Sequence, residues 1–132
     1  FEKFKILMKY TDLIMLDIKE INNKRHEIIT GMKNDHILKM AKTMDDMGKK
    51  MWIRHVLVPE RSDYDEDLIK LREFVSTLKN VEKIEVLPYH TLGRHKWDNL
   101  GIEYKLEGIE PPTEERVRNA DKILQGSIWD KI

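Results

Sequence analysis

Two apolar runs in this sequence end in residues that could do chemistry. DLIMLDIK closes on Asp17 and Lys19, and VEKIEVLPYH closes on Tyr89 and His90. Arg54 and Glu85 stand inside runs that are otherwise rich in apolar residues. If the runs are strands of an α/β sheet, ligands gather at their carboxyl ends. A carboxylate, an ammonium and an imidazole there can surround one small polar molecule. Arg54 and Glu85 carry the same message, because a charge buried without a partner is costly and must meet another charge, water or a ligand. A polar cavity on one face of the sheet would satisfy all of them.

Each residue also has a purely structural reading. Asp17 and Lys19 are two apart, share one face of a strand, and can form a mutual ion pair at its end. His90 can be a loop histidine bonded to backbone. Arg54 can be a structural partner of Asp17 or Glu85. His90 and His95 lack the cysteine neighbours or the histidine motif that a metal site shows, and His26, His36 and His55 have still less pattern. Met40, Met44 and Met47 lie on or beside one helical stripe, the place of core filler. Trp52, Trp97 and Trp129 read as packing residues.

The elements that must position these side chains follow from periodicity and from stop signals. Phe1, Phe4, Ile6, Leu7 and Met8 recur at roughly helical spacing with no capping residue before them, as for a helix whose beginning has been cut away. Asp12–Lys19 is nearly continuous in apolar residues, the pattern of a parallel strand covered on both faces. Leu13, Met15, Asp17 and Lys19 fall on one face of it, and Ile14, Leu16 and Ile18 on the other. INNKRHEIITG reads as a polar, turn-rich connection. Asn34 is placed to cap a helix running to about Met47, with Ile37, Leu38, Ala41, Met44 and Met47 inward and Gly48 ending it. Met51–Val58 is a second strand, stopped by Pro59. Asp63 as cap with Glu66 as its capping-box partner opens a helix with Leu68, Leu71, Phe74, Val75 and Leu78 inward. The third strand, through Ile84, Val86 and Leu87, stops at Pro88, which cannot donate to a sheet ladder. TLGRHKW beyond it fits neither period and has the texture of a working loop. Pro111, Pro112 and Thr113 start a last helix that buries Val117, Ala120, Ile123 and Leu124.

This alternation predicts an α/β fold, a parallel three-stranded βαβαβ sheet with flanking helices. A closed (β/α)8 barrel needs ~250 residues. The 132 residues therefore form one small open sheet or a piece of a larger barrel, and the uncapped start favours the piece. Lys and Arg balance Asp and Glu at 24 against 24, so no net field recruits nucleic acid or anionic lipid. No apolar run approaches the ~18 residues of a membrane span, and the start has no signal-peptide pattern, which predicts a cytoplasmic protein. Zero cysteines exclude disulfides and thiolate ligands for zinc or an iron–sulfur cluster from this chain.

LPYHTLGRHKW, followed by NLGIEYKLEGIEPP, resembles the carboxyl-terminal part of the pyruvate formate-lyase activating enzymes, which are radical S-adenosylmethionine activases of a glycyl-radical enzyme. DLIMLDIK is similar to the family's fourth-strand motif, HEIITG to the segment after it, WIRHVLVP to the fifth strand and VEKIEVLPYH to the sixth, so the likeness covers nearly the whole chain. It implies that residues 1–132 are the second half of a partial (β/α)6 TIM-like barrel. It also implies that Asp17, Lys19 and His90 line the S-adenosylmethionine site, that Arg54 lies close to the same cavity, and that Met15 and Asp17 contribute to a cation site beside the cofactor's carboxylate.

The family's CxxxCxxC motif and its early glycine-rich segment are absent, so the ligands of the 4Fe–4S cluster are not in this chain. Glu60 stands where the family often has a glycine. By the resemblance, the parent reductively cleaves S-adenosylmethionine and generates a glycyl radical on pyruvate formate-lyase. Its partners would be the glycyl-radical domain of that enzyme and a flavodoxin-like electron donor. The fragment alone would be inactive, with an exposed face that favours a homodimer. Two other readings stay open: an activase of another glycyl-radical enzyme, and a non-catalytic α/β binding module whose strand-end charges are structural.

Overall fold

A computed structural model describes residues 2–90 and 108–129, with side chains as far as residue 125. The loop residues His95 and Trp97, and the side chain of Trp129, lie outside the described part. The order is α1 (Glu2–Lys9), β1 (Leu13–Asp17), α2 (Asn23–Thr30), α3 (Asp35–Asp46), β2 (Lys50–Leu57), α4 (Asp65–Ser76), β3 (Val81–Pro88) and α5 (Glu114–Trp129). The strands form one parallel sheet in the order β1-β2-β3. The expected α/β alternation is therefore what the chain adopts.

Among the described residues the two helix-packed core clusters fall on one face of the sheet. Ile18, Ile53, Leu57 and Ile84 meet Leu68, Leu71 and Val75 of α4 and Ala120 and Leu124 of α5. A second cluster joins Met51 to Met8 of α1, Ala41 and Met44 of α3 and Leu78, with Ile14 packed against it. Phe74 touches both clusters. Polar ties add register to this packing: Asn119 Nδ2 donates to Asp65 Oδ1 at 2.9 Å, and Gln125 Nε2 donates to the Ile84 carbonyl at 2.6 Å, fixing α5 to α4 and to β3.

Several local expectations are corrected. INNKRHEIITG is not a turn-rich connection but contains α2. The Asn22 side chain accepts the Arg25 N–H at 3.1 Å, and Gly31, at φ 77°, sends its N–H to the Glu27 carbonyl. An Asn start and a glycine stop were both in the sequence, but the weak apolar stripe between them hid the helix. Asn34 occupies the cap position of α3 without capping through its side chain, which instead donates to the carbonyls of Glu20 and Ile21 at 3.1 and 2.7 Å. Asp63 is not the cap of α4 either. Tyr64 holds that position, while Asp63 Oδ1 accepts the Glu60 N–H at 3.1 Å. That bond helps hold Glu60 at φ 66°, so the loop keeps a left-handed conformation that glycine adopts without strain. Met47, expected inward, is exposed.

Candidate functional site

The second face of the sheet carries none of these clusters. Parallel pairing sets its residues in rows: Met15, Trp52 and Lys83 across one, Asp17, Arg54 and Glu85 across the next, and Val56 beside Leu87 in a third. Met15 is 59% exposed and Leu13 39%, so the first strand is covered on its helix side only. The expectation of a strand covered on both faces fails among the described residues for that reason.

The charged row is an interlocked network. Arg54 Nε lies 3.7 Å from Asp17 Oδ1 and 3.9 Å from Glu85 Oε2. Lys19 Nζ donates to Asp17 Oδ2 at 3.4 Å. Lys83 Nζ sits 2.6 Å from Glu85 Oε1 and over the Trp52 ring, 4.2 Å from its centroid. A polar face holding Asp17, Arg54 and Glu85 together is what the strand-interior charges foretold. The ion-pair distances around Arg54 are long, and its Nε is a buried donor without a hydrogen bond among the described residues. Such a group retains capacity for an acceptor that the described residues do not supply.

At the carboxyl ends of β2 and β3, Val58, Tyr89 and Ile109 pack together with Val56 beside them. Val58 is therefore buried. His90 follows Tyr89 and is exposed. It lines a cleft of about 400 Å³ with Pro88, Pro111, Pro112, Glu114, Val117 and Arg118, where β3 ends and α5 begins. Among the described residues no hydrogen bond or ion pair joins His90 to Asp17, Lys19 or Arg54. The structure thus brings Asp17, Lys19 and Arg54 together and sets His90 at the same end of the sheet, in a neighbouring cleft.

No group of three or more His, Cys, Asp or Glu side chains able to hold a metal occurs among the described residues. No helix there is long and apolar enough to cross a membrane. The sequence reading missed the buried acids Glu20 and Asp67 and the half-buried Arg25 that pairs with Asp67. Asn22 and Gly31, the caps of α2, could have placed Arg25 on a helix. Nothing marks Asp67 as buried, since an acid in the first turn of a helix is ordinarily a solvated one.

No protein-family model matches the chain. Its sequence is 56% identical over 130 residues, 98% of its length, to the pyruvate formate-lyase-activating enzyme of Streptococcus mutans serotype c. It is 60% identical over 121 residues to the enzyme of that name from Staphylococcus epidermidis. The chain belongs to the pyruvate formate-lyase activating enzyme family. It spans about half the length of these curated relatives, 49% and 48% respectively. The fold agrees. A solved domain of pyruvate-formate lyase-activating enzyme from Bacteroides vulgatus superposes with a TM-score of 0.77 at 21% identity, covering 96% of this chain and 69% of that one. At that identity the superposition speaks for architecture alone.

Proposed function

We propose that this chain is the carboxyl-terminal half of a pyruvate formate-lyase activating enzyme and forms one wall of its S-adenosylmethionine site. The observation that carries the reading is the row Asp17, Arg54 and Glu85 on the open sheet face, with Lys19 at its end and the Arg54 Nε lacking a bonded acceptor among the described residues. This donor set fits a zwitterionic, ribose-bearing sulfonium. Lys19 and Arg54 offer cations to a carboxylate, Asp17 offers an acceptor to hydroxyl or ammonium groups, and His90 adds an imidazole from the adjoining cleft. When bound, the cofactor supplies the radical chemistry, and the protein supplies binding and orientation.

Met15 and Asp17 together offer one thioether and one carboxylate. A cation beside them needs its remaining donors from the cofactor's carboxylate and from outside these residues. The 4Fe–4S cluster takes thiolate ligands, and with no cysteine in the chain its ligands belong to the other half. In the full-length protein the partners are the glycyl-radical domain of pyruvate formate-lyase and a flavodoxin-like electron donor, in the cytoplasm. Titration of the full-length protein with S-adenosylmethionine, followed by detection of the glycyl radical on pyruvate formate-lyase, tests the reading. A protein that takes up no S-adenosylmethionine in calorimetry would sink it.

The open face sets an expectation for the 132-residue chain taken alone. Among the described residues the outer edge of β1 has no strand partner, and Leu13 and Met15 stand exposed beside it. Open edges template pairing, and apolar patches find partners, while a balanced net charge adds little repulsion. The isolated chain should self-associate at micromolar concentration, most simply as a two-fold dimer. Sedimentation showing a clean monomer that binds no apolar dye would mean that this face closes on itself.

A further inference from the structure

The connection from β1 to α2 meets the first turn of α4 through two buried acids, Glu20 at 1% exposure and Asp67 at 2%. Each carboxyl is satisfied on one oxygen. Glu20 Oε1 accepts the Asn22 N–H at 3.1 Å, and Asp67 Oδ2 accepts the Arg25 guanidinium. Each also leaves one buried oxygen, Glu20 Oε2 and Asp67 Oδ1, with no donor among the described residues. The two side chains are within hydrogen-bonding reach of one another. Two ionised carboxylates so placed would face like charge and lack donors, away from water. One proton between them supplies the missing donor and removes the repulsion together.

We propose that Glu20 and Asp67 share a single proton in the folded protein, and that this acid–carboxylate pair is a pH-sensitive latch holding the β1–α2 connection against α4. The groups around it agree. From the start of α2 come Asn22, whose N–H donates to Glu20 while its side chain caps the helix, and Arg25, which also reaches Glu66 at 3.2 Å and stacks 3.9 Å over the Tyr64 ring. From β2, His55 turns its ring nitrogens to the carbonyls of Ile18 and Ser62, at 2.9 and 2.8 Å. From α5, Arg116 pairs with Asp63 and Asp65. From the start of α3, the neutral Asn34 amide holds the Glu20 carbonyl. Arg25 thus provides one positive charge for two acids, enough for the pair only when it carries one negative charge.

Burial pushes the Glu20 carboxyl up to about 7 from an ordinary 4.5, the Asn22 N–H opposing it and the Asp67 charge adding to it. Because the folded value is raised, the folded chain holds a proton that the unfolded chain releases. The stability this confers is complete below about 4.5 and is lost as pH rises through about 7. The latch is closed on the acid side and loosens on the alkaline side, three residues beyond Asp17.

Glu20→Gln tests this in the full-length protein. The amide donates to Asp67 at every pH, so the variant should fold and lose the decline in thermal midpoint that the wild type shows between about pH 4.5 and pH 7. Glu66→Gln, which removes the exposed partner of Arg25 and leaves the pair intact, should keep the decline. Infrared difference spectra of the wild type at about pH 6 should show a protonated carboxyl band that is absent from Glu20→Gln. Equal pH dependence in wild type and Glu20→Gln, or no protonated carboxyl in the wild type on the acid side, overturns the proposal.

Discussion

Leu68→Ala should lower stability by about 2 to 5 kcal/mol, the range for emptying a buried leucine site. Leu68 is among the core residues that join α4 to Ile53 and Ile84 of the sheet and to Ala120 and Leu124 of α5. Losing its side chain opens a cavity where the sheet and two helices meet, and neither the strands nor α5 can collapse into it without giving up contacts of their own. Ile69 is the matched control. It is the next residue on the same helix but is exposed, so Ile69→Ala should shift stability by only about 0.5 kcal/mol. Denaturant midpoints with unchanged slope check both. Equal shifts would mean that the helix is rotated from the face assigned to it.

Asp17→Ala and Arg54→Ala in the full-length protein should each weaken S-adenosylmethionine binding by about 1.5 to 3 kcal/mol, the range for a hydrogen bond to a charged group, or roughly 10- to 150-fold in Kd. The two have different local consequences. Asp17→Ala frees Lys19 and relaxes one of the two ion pairs of Arg54. Arg54→Ala leaves Asp17 and Glu85 as neighbouring carboxylates without the cation between them, so it should also repel an incoming carboxylate and be the more severe. Calorimetry checks the pair. Unchanged affinity in both variants would leave the row a structural ion-pair network and remove it from the cofactor wall.

Period alone was enough to place the strands and most of the helices. A strand's alternation fixes which side chains share a face however the chain is later arranged, so Asp17 and Met15 were legible as face-mates before any neighbour was known. The stripe of α4 and the stop at Pro88 were legible for the same reason, since each depends on bonds and sterics within a few residues. Local chemistry failed where a side chain had a better partner far away. Asn34 had the composition of a helix cap, but the carbonyls of Glu20 and Ile21 claimed its amide. Asp63 was drawn to Glu60 and Arg116. The helix α2 was overlooked, although its caps are strong, because its apolar stripe is weak, and only packing against the rest of the molecule shows what it carries.

By itself the sequence determined the α/β alternation, the faces of the strands and of α4, the absence of any thiolate ligand, and the strand-end residues Asp17, Lys19 and His90 as candidates. The tertiary structure alone decided that Asp17, Arg54 and Glu85 share one row, that His90 looks into a neighbouring cleft, and that Glu20 and Asp67 meet out of water. The division has a physical cause. Periodicity records the geometry of one element, which the covalent chain imposes, whereas register between strands and the burial of a charge arise from contacts between residues distant in the chain, such as Glu20 and Asp67, and no local pattern encodes which distant surface will lie opposite.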